Sequence, residues 1–507
     1  MANAVSNNDI AKIVGYELTK GDFSNVTPNL PQRIAILAEA NTANQGTLDL
    51  TPTEILSASQ AGKKYGYGSP IHQIVRILRP LSGSGVGSIP VVVYPQVSVP
   101  VISFAKSISI EIVGTATANT THTLFINGRD NVDGQFYNIN IVTGDTDVDI
   151  IDKILDSVNG VLGSPVIATD ETTFVQLEAK WKGLTSNDLN VTIDTGSNDA
   201  GLLYSITTLV AGLGTPSVQP ALDLFGNVWN TIVVNSYGLQ TQTVTLLETF
   251  NGKPSPDGIQ APTGRYTGII MKPFVAISGS VLEENSTFTD SKKDEVTIAI
   301  APAPLSLGMQ FEAAANMTVL AATVYQSTPQ LDVNDANYPD MPTPSVIGMM
   351  DDYQNRNFLV TKGNSTVLLN NGKYKVQDFI TTYHPDGELP PQFRYVRNLM
   401  LDFNVRFAYY LLEQQYVVNH VIANDDDFVT AEKVVKPKIW KGVINNLSIS
   451  LVQRGLIADA QFMQNSITVS ISSVNPDRLD SFFKYKRTGV ARISATVAQA
   501  GFNFGNI

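Results

Sequence analysis

Two stretches in which helix and strand patterns alternate flank a long segment of different character, and this arrangement constrains the fold most. Short apolar runs typical of buried strands occur on both sides of it, for example at 33–38 and 297–300. From about residue 103 to 211 the chain is instead rich in Thr, Asn and Asp and breaks into short strand patterns. The sequence therefore predicts a discontinuous middle α/β domain, residues 23–102 and 212–365, into which a β-rich domain, residues 103–211, is inserted.

Several helix boundaries can be placed from local signals. Ser69 can cap a helix that runs to Leu78. The stretch 51–54, Thr-Pro-Thr-Glu, predicts another helix start, because a hydroxyl can cap and Pro or Glu suits a first turn. In the β-rich segment, Asp147 and Asp149 place carboxylates at the positive end of an amphipathic helix that stops near Gly160.

The pattern after residue 366 predicts a further domain, residues 366–480. It opens with a hairpin signal, in which Asn371 and Gly372 supply positive φ between two strand patterns. A long helix is predicted from Phe393 to about Val421, and a period-two strand at 467–471. The whole is a mixed α/β (α+β) multidomain fold.

Both ends of the chain have strand patterns without a local partner. We interpret residues 1–22 as an N-terminal arm and residues 481–507 as a C-terminal strand or arm. About 20 extended residues reach on the order of 60–70 Å, enough to pair with a neighbouring molecule. The predicted arm strands contain Ile13, Val14, Gly15, Tyr16 and Glu17 at one end and Val490, Arg492, Ser494 and Thr496 at the other.

The composition excludes several classes of function. The 507 residues include no cysteine, so disulfides, thiolate nucleophiles and cysteine metal sites are impossible. A net charge of −12 argues against a broad surface for nucleic acid phosphates. Only 16% of residues are charged, against about 25% in ordinary soluble proteins, which favours surfaces that end up against other protein. We expect no secretory signal in residues 1–20 and no membrane span, since no apolar run approaches about 18 residues.

No motif predicts catalysis, a cofactor or a metal. The Gly-rich stretch 83–87 precedes a strand and lacks the Lys-Ser/Thr of a phosphate loop. Asp145, Asp147 and Asp149 resemble the start of a calcium loop, but Ile150 stands where Gly is needed. The acidic stretch 425–427 has no flanking ligands, and the histidines at 72, 122, 384 and 420 have no partner at ligand or catalytic spacing. We therefore expect no enzyme, no cofactor and no metal site.

One basic stretch stands out in this acidic chain. Between Phe428 and Gly455, five basic residues face a single acid, Glu432. This pattern fits either a solvated face or a docking surface for an acidic protein, and both interpretations stay open. The candidates for such docking, called the basic strip below, are Lys433, Lys436, Lys438 and Lys441.

The order and spacing of several motifs resemble the contractile phage tail sheath proteins of the Mu-like group. The similarity covers most of the chain. The motifs are 14–17 (Val-Gly-Tyr-Glu), 30–37 (Leu-Pro-Gln-Arg-Ile-Ala-Ile-Leu), 64–71 (Lys-Tyr-Gly-Tyr-Gly-Ser-Pro-Ile), 125–128 (Phe-Ile-Asn-Gly), 143–146 (Thr-Gly-Asp-Thr), 183–188 (Gly-Leu-Thr-Ser-Asn-Asp), 378–383 (Asp-Phe-Ile-Thr-Thr-Tyr) and 393–398 (Phe-Arg-Tyr-Val-Arg-Asn).

This resemblance implies a structural subunit that polymerises as stacked hexameric rings around a tail tube and contracts from a metastable state. It implies terminal arms that add strands to neighbouring subunits, a C-terminal domain that faces the tube and an inserted domain that points outward. The implied partners are other copies of the chain, the tail tube protein, and baseplate and tail terminator proteins, with no direct binding to nucleic acid or membrane. The implied location is the virion tail, with assembly in the host cytoplasm.

Two other classes of function remain possible at this point. Asn/Thr-rich β domains also occur in secreted or surface proteins that bind or hydrolyse carbohydrate, although no clustered aromatic platform is visible here. Another tail or baseplate component is the second alternative. A tube subunit is disfavoured, because it would be a small single domain without two arms.

Overall fold

The computed structural model describes residues 28–99, 102–255, 261–388 and 391–502. They form two compact units, a larger one drawn from Pro31–Phe403 and the chain from Gly489 onward, and a smaller one drawn from Asn404–Thr488 with the residues up to Leu30. The chain is mixed α/β with several sheets, as the sequence predicts.

A six-stranded sheet forms the core of the larger unit. Five strands are parallel and a short sixth strand is antiparallel at one edge. The parallel strands are buried on both faces, which explains why they appear in the sequence as continuous apolar runs. In spatial order the strands are Ile298–Pro302, Val275–Ser280, Ile232–Asn235, Ile34–Glu39, Val91–Gln96 and Thr53–Glu54.

Helices cover this sheet, and the predicted cap at Ser69 is confirmed. Ser69 is fully buried and accepts a hydrogen bond from the His72 backbone N–H at 3.1 Å. One helix approaches the sheet so closely that a Cβ added to Gly279 would lie 1.7 Å from the Gln310 carbonyl oxygen. The helices of this part are Ala58–Tyr65, Pro70–Leu78, Gln219–Asp223, Thr241–Asn251, Ser286–Asp290, Gln310–Ser327 and Tyr353–Thr361.

The predicted helix start at residues 51–54 is wrong. Thr53–Glu54 is instead the antiparallel edge strand, paired with Val92 and Val93. The following helix begins at Ala58, where the Ser57 side chain accepts from the Gln60 N–H at 3.2 Å. The cap and first-turn residues at 51–54 are locally suitable, but strand pairing with a distant segment decides their conformation.

The segment 103–211 builds two further sheets and one helix. The helix Asp147–Asn159 lies where the sequence predicts it, with Asp147 and Asp149 in its first turn, and it begins with a capping box between Thr146 and Asp149. The contact pattern keeps this segment in the same compact unit as the core sheet, so the inserted domain remains a prediction. In spatial order the sheets are Leu203–Val210, Ser107–Val113, Phe174–Ala179 and Val166–Asp170, and Val191–Asp194, Thr120–Ile126 and Asn138–Ile141, with a small hairpin Asn131–Val132 and Gln135–Phe136.

A hairpin follows at the predicted place. Asn371 and Gly372 have φ of 50° and 67°, the positive values that a tight hairpin turn requires. Asn tolerates this conformation better than other residues with a Cβ, and Gly has no steric penalty there. The two strands are Thr366–Asn370 and Lys373–Asp378.

The smaller unit is built mainly from helices around Trp440. Its indole is 1% exposed and lies 5.6 Å from the Tyr409 ring, centroid to centroid. The predicted long helix is Val396–Tyr416, five residues shorter at its end than expected, and it contains the point of division between the units. The other elements are the helices Pro437–Gln453 and Ala460–Ser466 and the strand pairs Val421–Ile422 with Val434–Val435, Ile457–Ala458 with Lys486–Arg487, and Thr468–Ile471 with Leu479–Phe482.

Among the helices of the described ranges, none combines the length and the apolar character that crossing a bilayer requires.

Candidate assembly surfaces

The predicted N-terminal arm cannot be placed. Its strand residues Ile13, Val14, Gly15, Tyr16 and Glu17 lie outside the described residues.

Among the described residues, no strand pairs with the C-terminal segment. From Gly489 to Phe502 the backbone forms neither helix nor strand, although the sequence alternates like a strand. Val490 is half-buried, whereas Ser494 and Thr496 are exposed. The apolar side chains of Ile493, Val497 and Phe502 are 86%, 92% and 89% exposed. Residues 493–501 therefore expose apolar side chains and a backbone that belongs to no strand of the described residues.

Arg492 anchors the start of this segment to the larger unit. Its guanidinium forms ion pairs with Asp332 and with Asp378, the latter at 3.0 Å, and lies 3.9 Å from the centroid of the Tyr395 ring. Burial lowers the pKa of Arg492 to about 10, so the group stays charged at neutral pH. The sequence predicted Arg492 as an arm residue, and its three contacts within the chain show that any free arm begins after it.

A two-stranded hairpin in the smaller unit has two open edges. Thr468–Ile471 pairs with Leu479–Phe482, and within the described residues no further strand joins either side. Side chains along Thr468–Ile471 alternate between exposed and half-buried, whereas in Leu479–Phe482 the first three residues are half-buried and Phe482 is exposed. A two-stranded sheet is at best marginally stable alone in water, and its unpaired backbone groups favour the addition of another strand.

The basic strip lies beside the first turn of the helix Pro437–Gln453. Lys433, Lys438 and Lys441 are exposed and Lys436 is half-buried. Cations are unfavourable at a helix N-terminus, because the helix dipole is positive there. The positive charges of these lysines are therefore electrostatically unfavourable at this end of the helix.

The acidic loop 425–427 offsets this arrangement. Asp425 Oδ1 accepts from the Lys438 backbone N–H at 2.8 Å and so caps the helix. The Lys436 Nζ donates to the Asp427 carbonyl oxygen. The charges of the basic strip were counted in the sequence only from residue 428 to 455, which excludes this loop. The strip therefore has more acidic neighbours than that count indicated.

The histidines are all engaged with their own chain. His72 Nδ1 accepts from the Gly68 N–H at 3.1 Å, and burial lowers the pKa of His72 to about 4. His122 pairs with the Tyr204 hydroxyl at 2.7 Å, and His384 with Asp290 at 3.1 Å. His420 contacts the Val418 carbonyl oxygen at 3.0 Å. Within the described ranges, no group of three or more acidic or His residues is arranged to hold a metal ion.

Comparison with known proteins finds a relative that matches most of the chain. No family model matches the chain. The Mu-like prophage FluMu tail sheath protein of Haemophilus influenzae is 25% identical over 453 residues, which cover 87% of this chain and 87% of that protein.

Solved structures show only weak likeness. A sheath tail protein from Desulfitobacterium hafniense has a TM-score of 0.43 at 11% identity, covering 93% of this chain and 100% of that one. A chain of the anti-feeding prophage baseplate has a TM-score of 0.42 at 10% identity, covering 97% and 100%. These scores are too low to support a conclusion. The sequence relative nevertheless confirms the predicted resemblance: over most of its length, this chain is similar to a Mu-like tail sheath protein.

Proposed function

We propose that the protein is a structural, non-enzymatic subunit of a contractile phage tail sheath. The observation that carries this proposal is the similarity to a tail sheath protein over 87% of both chains. Because the match covers nearly the whole of each protein, a role that depends on the entire subunit can be transferred. In this role the subunit forms stacked hexameric rings around a tail tube in the virion, after assembly in the host cytoplasm.

The proposed linkage between subunits is strand addition. Residues 493–501 are exposed and belong to no helix or strand, and no other described strand pairs with either edge of the hairpin Thr468–Ile471 with Leu479–Phe482. One subunit thus carries both a candidate donor strand and a candidate acceptor. Main-chain hydrogen bonds supply the affinity in such strand addition, whereas alternate side chains supply the specificity. The N-terminal stretch 13–17 is a second proposed donor, and both donors would act on neighbouring copies.

Contraction is proposed as the relaxation of a metastable extended lattice. Two packings of the same subunits that differ in free energy can store work without nucleotide hydrolysis. The predicted inserted domain, residues 103–211, would point outward, and the C-terminal domain would face the tube. Baseplate and terminator proteins would bound the ends of the sheath.

Electron microscopy of the purified protein tests this function. A sheath subunit is expected to form long hollow cylinders of constant diameter, alone or on added tubes. Rings of fixed size that never stack would favour a baseplate component instead. Dispersed particles with and without tubes would refute the proposal.

The basic strip is proposed to contact an acidic tube. Reversing two exposed lysines, Lys433→Glu and Lys441→Glu, should weaken co-assembly with tubes at low salt, and added salt should reduce the difference from wild type. The matched control, Lys63→Glu with Lys373→Glu, makes the same change of charge on exposed lysines of the larger unit. Co-sedimentation with tubes across a salt series measures the effect. Equal co-assembly of the strip variant and the control would contradict a tube contact.

A further inference from the structure

Glu39 occupies an unusual position at the end of a buried strand. It is the last residue of Ile34–Glu39, a central strand of the parallel sheet, and it is only 2% exposed. The next parallel strand in the chain, Val91–Gln96, lies on one side of it, and the later strand Ile232–Asn235 lies on the other, as at the switch point of an open α/β sheet. A carboxyl group at such a depth is rare unless it is well paired.

The carboxyl group of Glu39 is only half satisfied. Its Oε1 accepts a hydrogen bond from the Ser98 hydroxyl at 2.6 Å, whereas its Oε2 is buried without a partner. Tyr237 interacts electrostatically with it and also has a buried hydroxyl without a partner. Among the described residues, Glu39 takes part in no ion pair. Lys182, which precedes Gly183 in the sequence, forms none with it. A carboxylate with one donor in this setting is poorly stabilised, so the neutral acid is favoured.

The chain passes Glu39 where it enters and leaves the segment 103–211. Ser98 lies on the outgoing connection, and a Cβ built on Gly183 would lie 3.3 Å from Glu39 Oε2. Around this point four backbone hydrogen bonds tie the segment together, and we call them the junction. They run from Gly183 N to Phe104 O (3.0 Å), Leu184 N to Gly214 O (2.8 Å), Phe104 N to Leu213 O (3.0 Å) and Leu213 N to Phe104 O (3.1 Å).

We propose that Glu39 is a proton-binding residue, and that loss of its proton loosens the junction through which residues 103–211 join the core sheet. The proposal goes beyond a role in assembly, because it concerns the single chain. The Cβ built on Gly183 would also lie 2.9 Å from the Gly214 carbonyl oxygen, so a negative charge on Glu39 lies near that oxygen and has one donor. Opening of the junction admits water, which stabilises the carboxylate.

The direction of the pH effect follows from linkage. Burial raises the pKa of Glu39 from 4.5 to about 8, and the Ser98 hydrogen bond acts in the opposite direction. Between these two values the closed junction binds a proton that the open form releases. Opening therefore becomes more favourable as pH rises from about 5 to 8, by up to about tenfold per pH unit, and levels off above that range.

Amide hydrogen exchange of the full chain tests the proposal. Protection factors already divide out the pH dependence of intrinsic exchange. We expect those of Phe104, Gly183, Leu184 and Leu213 to fall about tenfold per unit between pH 5.5 and 7.5 in the wild type. In Glu39→Gln, which is neutral at every pH, the protection factors of the same four amides should not change with pH. The Ala276 amide, bonded to Thr297 O within the core sheet, serves as the internal reference.

Two further variants keep the test decisive. Ser98→Ala removes the one donor to the carboxylate and should raise the pH above which the protection factors stop falling. Glu178→Gln changes an exposed carboxyl group in the same segment and should leave the wild-type profile unchanged. The proposal is overturned if Glu39→Gln retains the wild-type slope. It is equally overturned if the four amides show no pH dependence in the wild type, or if Glu178→Gln flattens the profile.

Discussion

Removal of residues 493–507 should abolish polymerisation and leave a folded monomer. The deletion starts after Arg492, because this residue is held by Asp332 and Asp378 and stabilises its own subunit. Among the removed residues, those at 493–502 have exposed side chains, so their deletion should cost the subunit little stability. We expect a thermal unfolding midpoint close to wild type, and no cylinders by negative-stain microscopy under conditions in which the wild type forms them.

A pair of point variants separates strand pairing from mere loss of mass. Thr496→Pro removes a backbone donor and restricts the preceding residue, so it should block strand addition. Thr496→Val keeps the β-propensity and should assemble normally. Normal cylinders from the deletion or from Thr496→Pro would show that this segment does not link subunits. Deletion of residues 1–20 is expected to give the same loss of assembly.

Substitution of Arg129 by Met should destabilise the larger unit by about 3–5 kcal/mol, the usual cost of leaving one partner of a buried ion pair alone. Arg129 Nη1 donates to Glu312 Oε2 at 2.9 Å, and their side chains are 14% and 4% exposed. Although burial alone would lower it, the carboxylates of Glu312 and Asp340 raise the pKa of Arg129. The pair joins the segment 103–211 to the helix Gln310–Ser327, so its loss should weaken the packing between these two parts.

Urea unfolding followed by fluorescence measures this effect. Trp181 reports from the same region, because its ring packs 6.0 Å from that of Phe311, beside Glu312. Adding Glu312→Gln to Arg129→Met removes the stranded charge and should recover part of the loss, as a double-mutant cycle would show. As a control, Arg478→Met breaks an exposed pair with Asp480 and should cost less than about 1 kcal/mol. Equal costs for Arg129→Met and Arg478→Met would contradict the assignment.

Local signals in the sequence predicted a large part of the fold. The buried strands, the cap at Ser69, the helix with Asp147 and Asp149 in its first turn and the turn at Asn371-Gly372 were all recognisable, because each depends on residues a few positions apart. The helix start at 51–54 failed for the opposite reason, since pairing with Val92 and Val93 overrides a suitable local cap. No described strand pairs with the strand pattern at 490–497, so its pairing with a neighbouring copy stays a prediction.

The assembly surfaces divide in the same way. The sequence identified the unpartnered ends and the basic strip, because alternation and charge are visible in a short window. It missed the loop 425–427 beside the strip, which lies just outside that window. It also missed the open-edged hairpin as an acceptor, because an edge is defined by which strands are absent beside it.

The sequence by itself determined the resemblance to tail sheath proteins, the buried strands of the core and the absence of thiol chemistry, because these follow from residue types and their period. Only the tertiary structure decided that Arg492 is an anchor, that Arg129 meets Glu312 and that Glu39 lies half-paired beneath the junction. Each of these joins residues far apart in the chain, and burial then sets their charge states. Such effects come from the environment that folding creates, which no window of sequence contains.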